Sequence, residues 1–164
     1  MKSKIYIESS VVSYLTAKPT RDLISAAHQQ LTREWWDSSL KRFDVYVSTL
    51  VLSEISRGDK DAAIERNKII DSIPVLPVTA DALELATIIL TKSGLPRKAA
   101  DDATHIACAT LNGMDFLLTW NCKHIANATI RKKVEMLISD AGFVCPVIAT
   151  PEELMGEIYD NKSH

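Results

Sequence analysis

The segment at residues 101–124 constrains the fold of this chain more than any other. It begins with two acids, Asp101 and Asp102, followed by apolar residues at the spacing of an amphipathic helix. The apolar run at residues 116–118 is too short for a helix and is typical of a strand buried on both faces of a parallel sheet. In such a unit the helix start and the strand end meet at one edge, where ligands of open α/β sheets bind. We therefore expect Asp102 and Asn121 to be spatial neighbours.

The rest of the chain also alternates between short apolar runs and amphipathic segments. This pattern predicts helices between further strands at residues 4–8, 45–47, 73–78 and 143–148. Strands separated by helices indicate an α/β fold, a three-layer sandwich with a mostly parallel central sheet flanked by helices. Within the helices, we expect Ile64 and Leu83 to face the core. No linker or repeat interrupts the pattern, so we expect residues 1–164 to form a single domain with a frayed end at Asp160–His164.

The composition narrows the class of protein. A net charge of −2 gives no overall sign of nucleic-acid binding, so any basic surface must be local. The three cysteines have no metal-ligand spacing and indicate free thiols in a reducing compartment. The first ten residues contain no apolar signal core, and no run approaches membrane-spanning length. We therefore expect a soluble cytoplasmic protein that binds no membrane.

Four polar residues fall at the predicted ligand edge of the sheet: Glu8, Glu54, Asp102 and Asn121. Carboxylates that converge in this way repel one another unless a cation or protons intervene. Oxygen ligands of this type suit Mg²⁺ or Mn²⁺, which can polarise a phosphoryl oxygen and activate water. Each residue alone has a simpler explanation, such as a helix dipole partner, a solvated helix face or a turn. Only their shared location favours a functional site.

Four stretches of sequence carry a family resemblance. In order, YIESSVVSYL, STLVLSEISRGD, DDATHIACA and LLTWNCKHI resemble the successive motifs of the PIN-domain nucleases, the fold of VapC-type toxins. The resemblance extends from about Ile5 to Ile148. It implies Mg²⁺- or Mn²⁺-dependent hydrolysis of RNA phosphodiesters, often by a toxin that an antitoxin protein holds inactive and that often forms a homodimer.

The family's acidic positions carry over to Glu8, Glu54, Asp102 and Asn121, and hydroxyl residues beside the first and fourth positions match Ser10 and Thr119. The family usually has Asp at the first and fourth positions. The longer Glu8 would place the metal ion differently, and the uncharged Asn121 favours hydrolysis with one metal ion, because a site with one fewer negative charge holds a second cation poorly. We assign Glu8 and Asp102 as metal ligands, Glu54 as a ligand through water or a base for the attacking water, and Asn121 as a polar positioning residue.

Further residues near the predicted edge are candidates for binding RNA phosphates: Ser10, Arg57, Arg97, Lys98, Lys123 and His124. His105 lies one turn past Asp102, in a helix rich in Ala and Ile, so we interpret it as a packed histidine. Two other functions stay open. One is a PIN-like domain with weakened catalysis that binds RNA or a protein, and the other is a phosphotransfer domain with a nucleophilic acid after the first strand.

Overall fold

A parallel β-sheet of five strands forms the centre of the computed structural model, which describes residues 1–155. The strands are β1 (Ser3–Ile7), β2 (Phe43–Ser48), β3 (Val75–Leu76), β4 (Phe116–Leu118) and β5 (Val147–Ala149). Their spatial order is β3-β2-β1-β4-β5, and every neighbouring pair is parallel. The predicted α/β fold with a parallel central sheet is confirmed.

Seven α-helices in the described residues connect and cover the strands. They are α1 (Ser9–Thr16), α2 (Leu23–Ser39), α3 (Thr49–Ile55), α4 (Lys60–Ile70), α5 (Ala80–Lys92), α6 (Ala100–Leu111) and α7 (Ala128–Asp140). Two short 3₁₀ segments, Leu40–Arg42 and Arg97–Ala99, precede β2 and α6. Most helices begin at a side chain that accepts a backbone N–H of the first turn, as Glu8 does for α1 and Ser48 for α3. These caps start α1 and α3 directly after β1 and β2.

The core lies on both faces of the two central strands. Ile5 and Ile7 of β1 and Leu117 and Leu118 of β4 are fully buried, because helices cover the sheet on each side. None of the helices within residues 1–155 combines the length and apolarity that a membrane span requires.

Two expectations about helix faces are wrong. Ile64 and Leu83 are 53% and 52% exposed, although both were predicted to face the core. In α5 the buried residues are Ala82, Leu85, Ala86 and Ile89, and Leu83 lies outside this stripe. A stripe through Leu83 and a stripe through Ala82 have nearly the same helical periodicity, so the packing of α5 against α6 decides which of them is buried.

The last strand is also shorter than predicted. β5 begins only at Val147, while Phe143 and Val144 are 43% and 87% exposed. Gly142 has a positive φ of 90°, and this turn after α7 places the following residues outside the sheet. The predicted frayed end at Asp160–His164 lies outside the described residues.

The strand order brings the functional candidates to one edge of the sheet. β1 and β4 are neighbours, and β2 lies on the other side of β1. The carboxyl ends of these three strands therefore lead into Glu8, into the start of α3 and into Thr119–Asn121. The N-terminus of α6, with Asp102 in its first turn, meets the same edge.

Candidate active site

Glu8 follows β1 and joins the ends of the two central strands. Its backbone N–H donates to the Leu118 carbonyl at 3.0 Å. Its carboxylate accepts hydrogen bonds from the Ser10 hydroxyl and the Thr119 hydroxyl, both at 2.5 Å to Oε1, and from the Ser10 backbone N–H at 3.0 Å to Oε2. Because Glu8 is only 5% exposed, these donors replace water around its charge. The motifs had placed the hydroxyl of Ser10 beside Glu8 and that of Thr119 beside Asn121, and both hydroxyls contact Glu8.

Glu54 lies in the last turn of α3, with its side chain 22% exposed. Its Oε1 accepts a hydrogen bond from the Ser9 hydroxyl at 2.7 Å and lies 2.5 Å from His105 Nε2. Burial raises the pKa of Glu54, but the hydrogen bonds from His105 and Ser9 and the charges of His105 and Arg57 outweigh burial and lower it overall. The carboxylate is therefore ionised at neutral pH.

Asp102 and Asn121 are in direct contact, as predicted. The Asn121 side-chain amide donates to Asp102 Oδ1 at 2.9 Å, and His124 Nδ1 lies 2.9 Å from Asp102 Oδ2. Asn121 Oδ1 in turn accepts the backbone N–H of His124. Burial raises the pKa of Asp102, and the charge of Glu8 adds to this effect, while His124 opposes it without cancelling it. His124 was expected only as a phosphate-binding candidate, and its contact with Asp102 was not anticipated.

His105 is fully buried, which confirms that it is a packed histidine. It also contacts the site, because its two ring nitrogens lie 2.7 Å from the Tyr6 hydroxyl and 2.5 Å from Glu54 Oε1. Burial lowers the pKa of His105, but the hydrogen bond to Glu54 and the charges of Glu8, Glu54 and Asp102 raise it overall. The sequence held one sign of this role, since residues three apart, such as Asp102 and His105, share a helix face.

One group of side chains within residues 1–155 has the spacing of a metal site. The ligand atoms of Glu8, Glu54 and His105 all lie within 4.8 Å of one another, and Asp102 lies outside this group. Two carboxylates and an imidazole suit a divalent cation. A ring nitrogen has one lone pair, so His105 would have to give up Glu54 or Tyr6 to bind metal. A carboxylate oxygen has two, so Asp102 can accept a metal and keep its present partners. The assignment of Glu8 and Asp102 as metal ligands stays a prediction.

Exposed cations surround the same edge of the sheet. The Arg57 side chain is 64% exposed and lies 4.0 Å from Asp101, and Arg97, Lys98 and Lys123 are exposed. Ser10 differs from them, because its hydroxyl donates to Glu8 and accepts the Trp120 backbone N–H at 2.8 Å. Phosphate binding by these residues stays a prediction.

Comparison with known proteins identifies the family. The family model described as PIN domain matches residues 5–128, which include all four acidic-motif positions. The chain belongs to the PIN domain family. This membership removes the phosphotransfer folds from the alternatives. Among curated proteins, no relative matches the sequence.

Two solved structures share the PIN-domain fold. The VapC20 of Mycobacterium tuberculosis, described as a Sarcin-Ricin loop cleaving toxin, is 23% identical, with a TM-score of 0.59 over 86% of this chain and 97% of that chain. VapBC2 from Rickettsia felis, in a complex described as bound to a DNA fragment from their promoter, is 13% identical, with a TM-score of 0.56 over 89% of this chain and 98% of that chain. At these identities the likeness shows the fold alone.

The hydrogen bond from Asn121 to Asp102 leads to a prediction for Asn121→Asp. The substitution replaces the donated N–H with a second carboxylate oxygen 2.9 Å from Asp102 Oδ1. We expect a lower unfolding temperature without metal and several-fold tighter Mn²⁺ binding, a net gain of about 1 kcal/mol after repulsion and screening. Calorimetric Mn²⁺ titration and thermal unfolding measure the two effects.

Asn127→Asp is the matched control, because it adds the same charge at the N-cap of α7. Identical Mn²⁺ affinities for wild type and Asn121→Asp would place Asn121 away from the cation. If affinity rises while cleavage falls, the amide of Asn121 instead donates to a phosphate oxygen of the substrate, which the new carboxylate would repel.

Proposed function

We propose that this PIN-domain protein is a metal-dependent endoribonuclease that hydrolyses RNA phosphodiester bonds with Mg²⁺ or Mn²⁺. The observation that carries the proposal is the set of acids at the carboxyl edge of the sheet. Glu8 and Glu54 converge there with His105, and Asp102 lies near enough for the charge of Glu8 to raise its pKa. A concentration of negative charge on rigid elements is costly unless a cation binds it.

Each acid has a separate role in this proposal. Glu8 and Asp102 would hold the metal ion, which when bound polarises a phosphoryl oxygen and makes water a better nucleophile. Asn121 and His124 keep the Asp102 carboxylate oriented through its two oxygens. Glu54 accepts a hydrogen bond from the attacking water. Its lowered pKa makes it a weak base, so orienting the water is its main contribution.

The exposed cations at the site edge fit a substrate with a phosphate backbone. Arg57, Lys98 and Lys123 bind phosphates of the RNA on either side of the scissile bond, although the whole chain has a net charge of −2. Ser10, in the first turn of α1, also binds a phosphate of the RNA beside Glu8, to which its hydroxyl donates a hydrogen bond. A local cationic rim around an acidic centre attracts the backbone and leaves the reacting phosphate to the metal.

We further propose that the chain is a single-domain toxin of a cytoplasmic toxin–antitoxin pair, that it forms a homodimer, and that an antitoxin protein holds it inactive. Its similarity in fold to VapC20 and VapBC2 supports this role. Leu23 and Ile24, at the start of α2, are 85% and 69% exposed and offer apolar surface to a protein partner. Light scattering of the purified chain measures the homodimer directly.

The decisive experiment is cleavage of RNA by the purified protein with Mg²⁺, with Mn²⁺ and with EDTA. We expect cleavage with either metal and none with EDTA, and recovery when Mn²⁺ is added back. A folded, pure protein that cleaves equally well in EDTA, or that never cleaves, contradicts the proposal. Single-stranded DNA of the same sequence tests the preference for RNA.

A second candidate function is RNA binding with weakened catalysis. One observation favours it: Asn121 replaces the acid usual at its position, so the site has one carboxylate fewer to bind a cation. Binding of RNA that depends on Arg57 and Lys123, without cleavage in any metal, would establish this alternative.

A further inference from the structure

A chain of buried hydrogen bonds connects Ser48, the N-cap of α3, to Glu54 in the last turn of the same helix. The Val51 backbone N–H donates to the Ser48 hydroxyl, and Ser48 lies 2.7 Å from the Tyr6 hydroxyl. Tyr6 lies 2.7 Å from His105 Nδ1, and His105 Nε2 lies 2.5 Å from Glu54 Oε1. Ser48, Tyr6 and His105 are all fully buried, so water does not compete for these contacts.

The Glu54 end of this chain sets the direction of its bonds. A carboxylate can only accept a hydrogen bond, so His105 Nε2 carries a proton and donates to Glu54. In the neutral imidazole Nδ1 is then an acceptor, so Tyr6 donates to it, and the Ser48 hydroxyl can donate to Tyr6 while it accepts from Val51. In the imidazolium form Nε2 also carries a proton. His105 therefore donates to Glu54 in either charge state.

The result is a carboxylate with two different oxygens. Both hydrogen bonds that the described residues donate to the Glu54 carboxylate, from Ser9 and from His105, end on Oε1. Oε2 has no such donor and stays available to water at the partly exposed face of the side chain, which is 22% exposed overall. Two donors on one oxygen restrict rotation of the carboxylate and set its orientation toward the site.

We propose that His105, oriented by Tyr6, is a positioning residue that fixes the rotamer of Glu54 for hydrolysis. This inference rests on the proposed nuclease function and adds two residues to it that contact neither metal nor RNA. A residue needed only to fill the core would not require two polar nitrogens, since an apolar side chain avoids the cost of burying them. Each nitrogen has a partner, and the partners are separated from His105 by 99 and 51 residues in sequence.

Two substitutions at His105 separate positioning from packing. In His105→Gln, the side-chain amide reaches the place of Nε2 and can still donate to Glu54. In His105→Asn, the shorter amide lies near the place of Nδ1 and cannot. We expect His105→Asn to lower kcat about 100-fold and His105→Gln less than about 10-fold, the range found when outer-shell partners of an active site are removed. The KM for RNA and the affinity for Mn²⁺ should change little in both.

Two further variants act as controls. Tyr6→Phe removes the hydroxyl that selects the Nε2–H tautomer, and should lower kcat by an amount between those of Gln and Asn at position 105. Thr110→Val removes another buried hydroxyl of α6, bonded to the Ile106 carbonyl at 2.8 Å, and should leave kcat unchanged. Equal losses in His105→Gln and His105→Asn, or full activity in His105→Asn, would overturn the proposal.

Nuclear magnetic resonance of ¹⁵N-labelled histidine tests the same contact without any cleavage. We expect a His105 Nε2–H signal in slow exchange with water that shifts in Glu54→Gln and in Tyr6→Phe. An Nε2 without a proton would overturn the positioning role, whatever the kinetics. If the spectrum is as expected and the wild type cleaves no RNA in any metal, the nuclease function fails, and His105 positions no group for hydrolysis.

Discussion

Asp102→Asn is expected to remove metal-dependent cleavage from a protein that still folds. The substitution deletes the charge of an assigned metal ligand while keeping its shape. Loss of several kcal/mol of charge stabilisation in the transition state corresponds to a rate lower by about 10³-fold. The side chain is close to both the Asn121 amide and His124, and an asparagine can keep both contacts by accepting from Asn121 and donating to an unprotonated His124 Nδ1.

The direction of the Asp102 pKa shift predicts the stability of this variant. Burial, with the charge of Glu8, raises the pKa of Asp102 in the folded protein. A carboxyl group with a raised folded pKa holds its proton more tightly when folded, so its ionised form reduces stability at neutral pH. We expect metal-free Asp102→Asn to unfold at the same temperature as the wild type or higher. The difference should shrink as the pH falls through the raised folded pKa of Asp102, and it should be absent below the unfolded pKa of about 3.9.

Asp101→Asn is the matched control, since Asp101 is the neighbouring acid and its side chain is 52% exposed toward Arg57. Cleavage with saturating Mn²⁺, thermal unfolding without metal and Mn²⁺ titration together separate chemistry from folding. Undiminished cleavage by folded Asp102→Asn would remove Asp102 from the catalytic group, and a loss in Asp101→Asn of the same size would show that the effect is general to the helix start.

The strand edges and the acids beside them could be predicted from the sequence because their signals are local. An acid or a cap directly after a buried apolar run marks the end of a parallel strand, as at Glu8 and Ser48. Parallel strands end at the same edge, so the sequence alone predicts that Asp102 and Asn121 are close together. These inferences need periodicity and chain direction only.

The partners that hold the acids depend on contacts between distant parts of the chain. Tyr6 and His105 are 99 residues apart, and the sequence gives no sign that a tyrosine inside an apolar strand would meet a histidine of α6. The wrong prediction that Leu83 faces the core has the same cause. Rotating α5 about its axis by one residue buries a different stripe of side chains, while the sequence pattern stays the same. Packing between elements decides both cases.

Glu54→Gln is expected to lower kcat about 100-fold or more, the lower end of what a positioned acid–base group contributes. Glutamine can keep its oxygen toward Ser9 and His105, the two donors that now meet Oε1, and so preserve the orientation of the side chain. Its amide nitrogen then replaces Oε2 and presents a donor to the attacking water in place of an acceptor. The affinity for Mn²⁺ should fall only slightly, because Glu54 is assigned to the water and not directly to the metal.

Single-turnover cleavage at saturating Mn²⁺ measures the chemical step, and calorimetric titration measures the metal. Glu65→Gln, on the exposed face of α4 and paired only with Lys68 among the described residues, is the surface control and should leave both unchanged. A large loss of Mn²⁺ affinity with normal turnover at saturating metal would reverse the assignment and make Glu54 a direct ligand.

The lowered pKa of Glu54 adds a pH test, since the Glu54 carboxylate stays ionised below the pH range in which an ordinary glutamate titrates. Because the raised pKa of Asp102 affects the pH profile of activity first, the titration of Glu54 is measured directly by nuclear magnetic resonance: its pKa should lie below that of an ordinary glutamate, and His105→Asn, which removes a hydrogen bond that lowers this pKa, should move it upward.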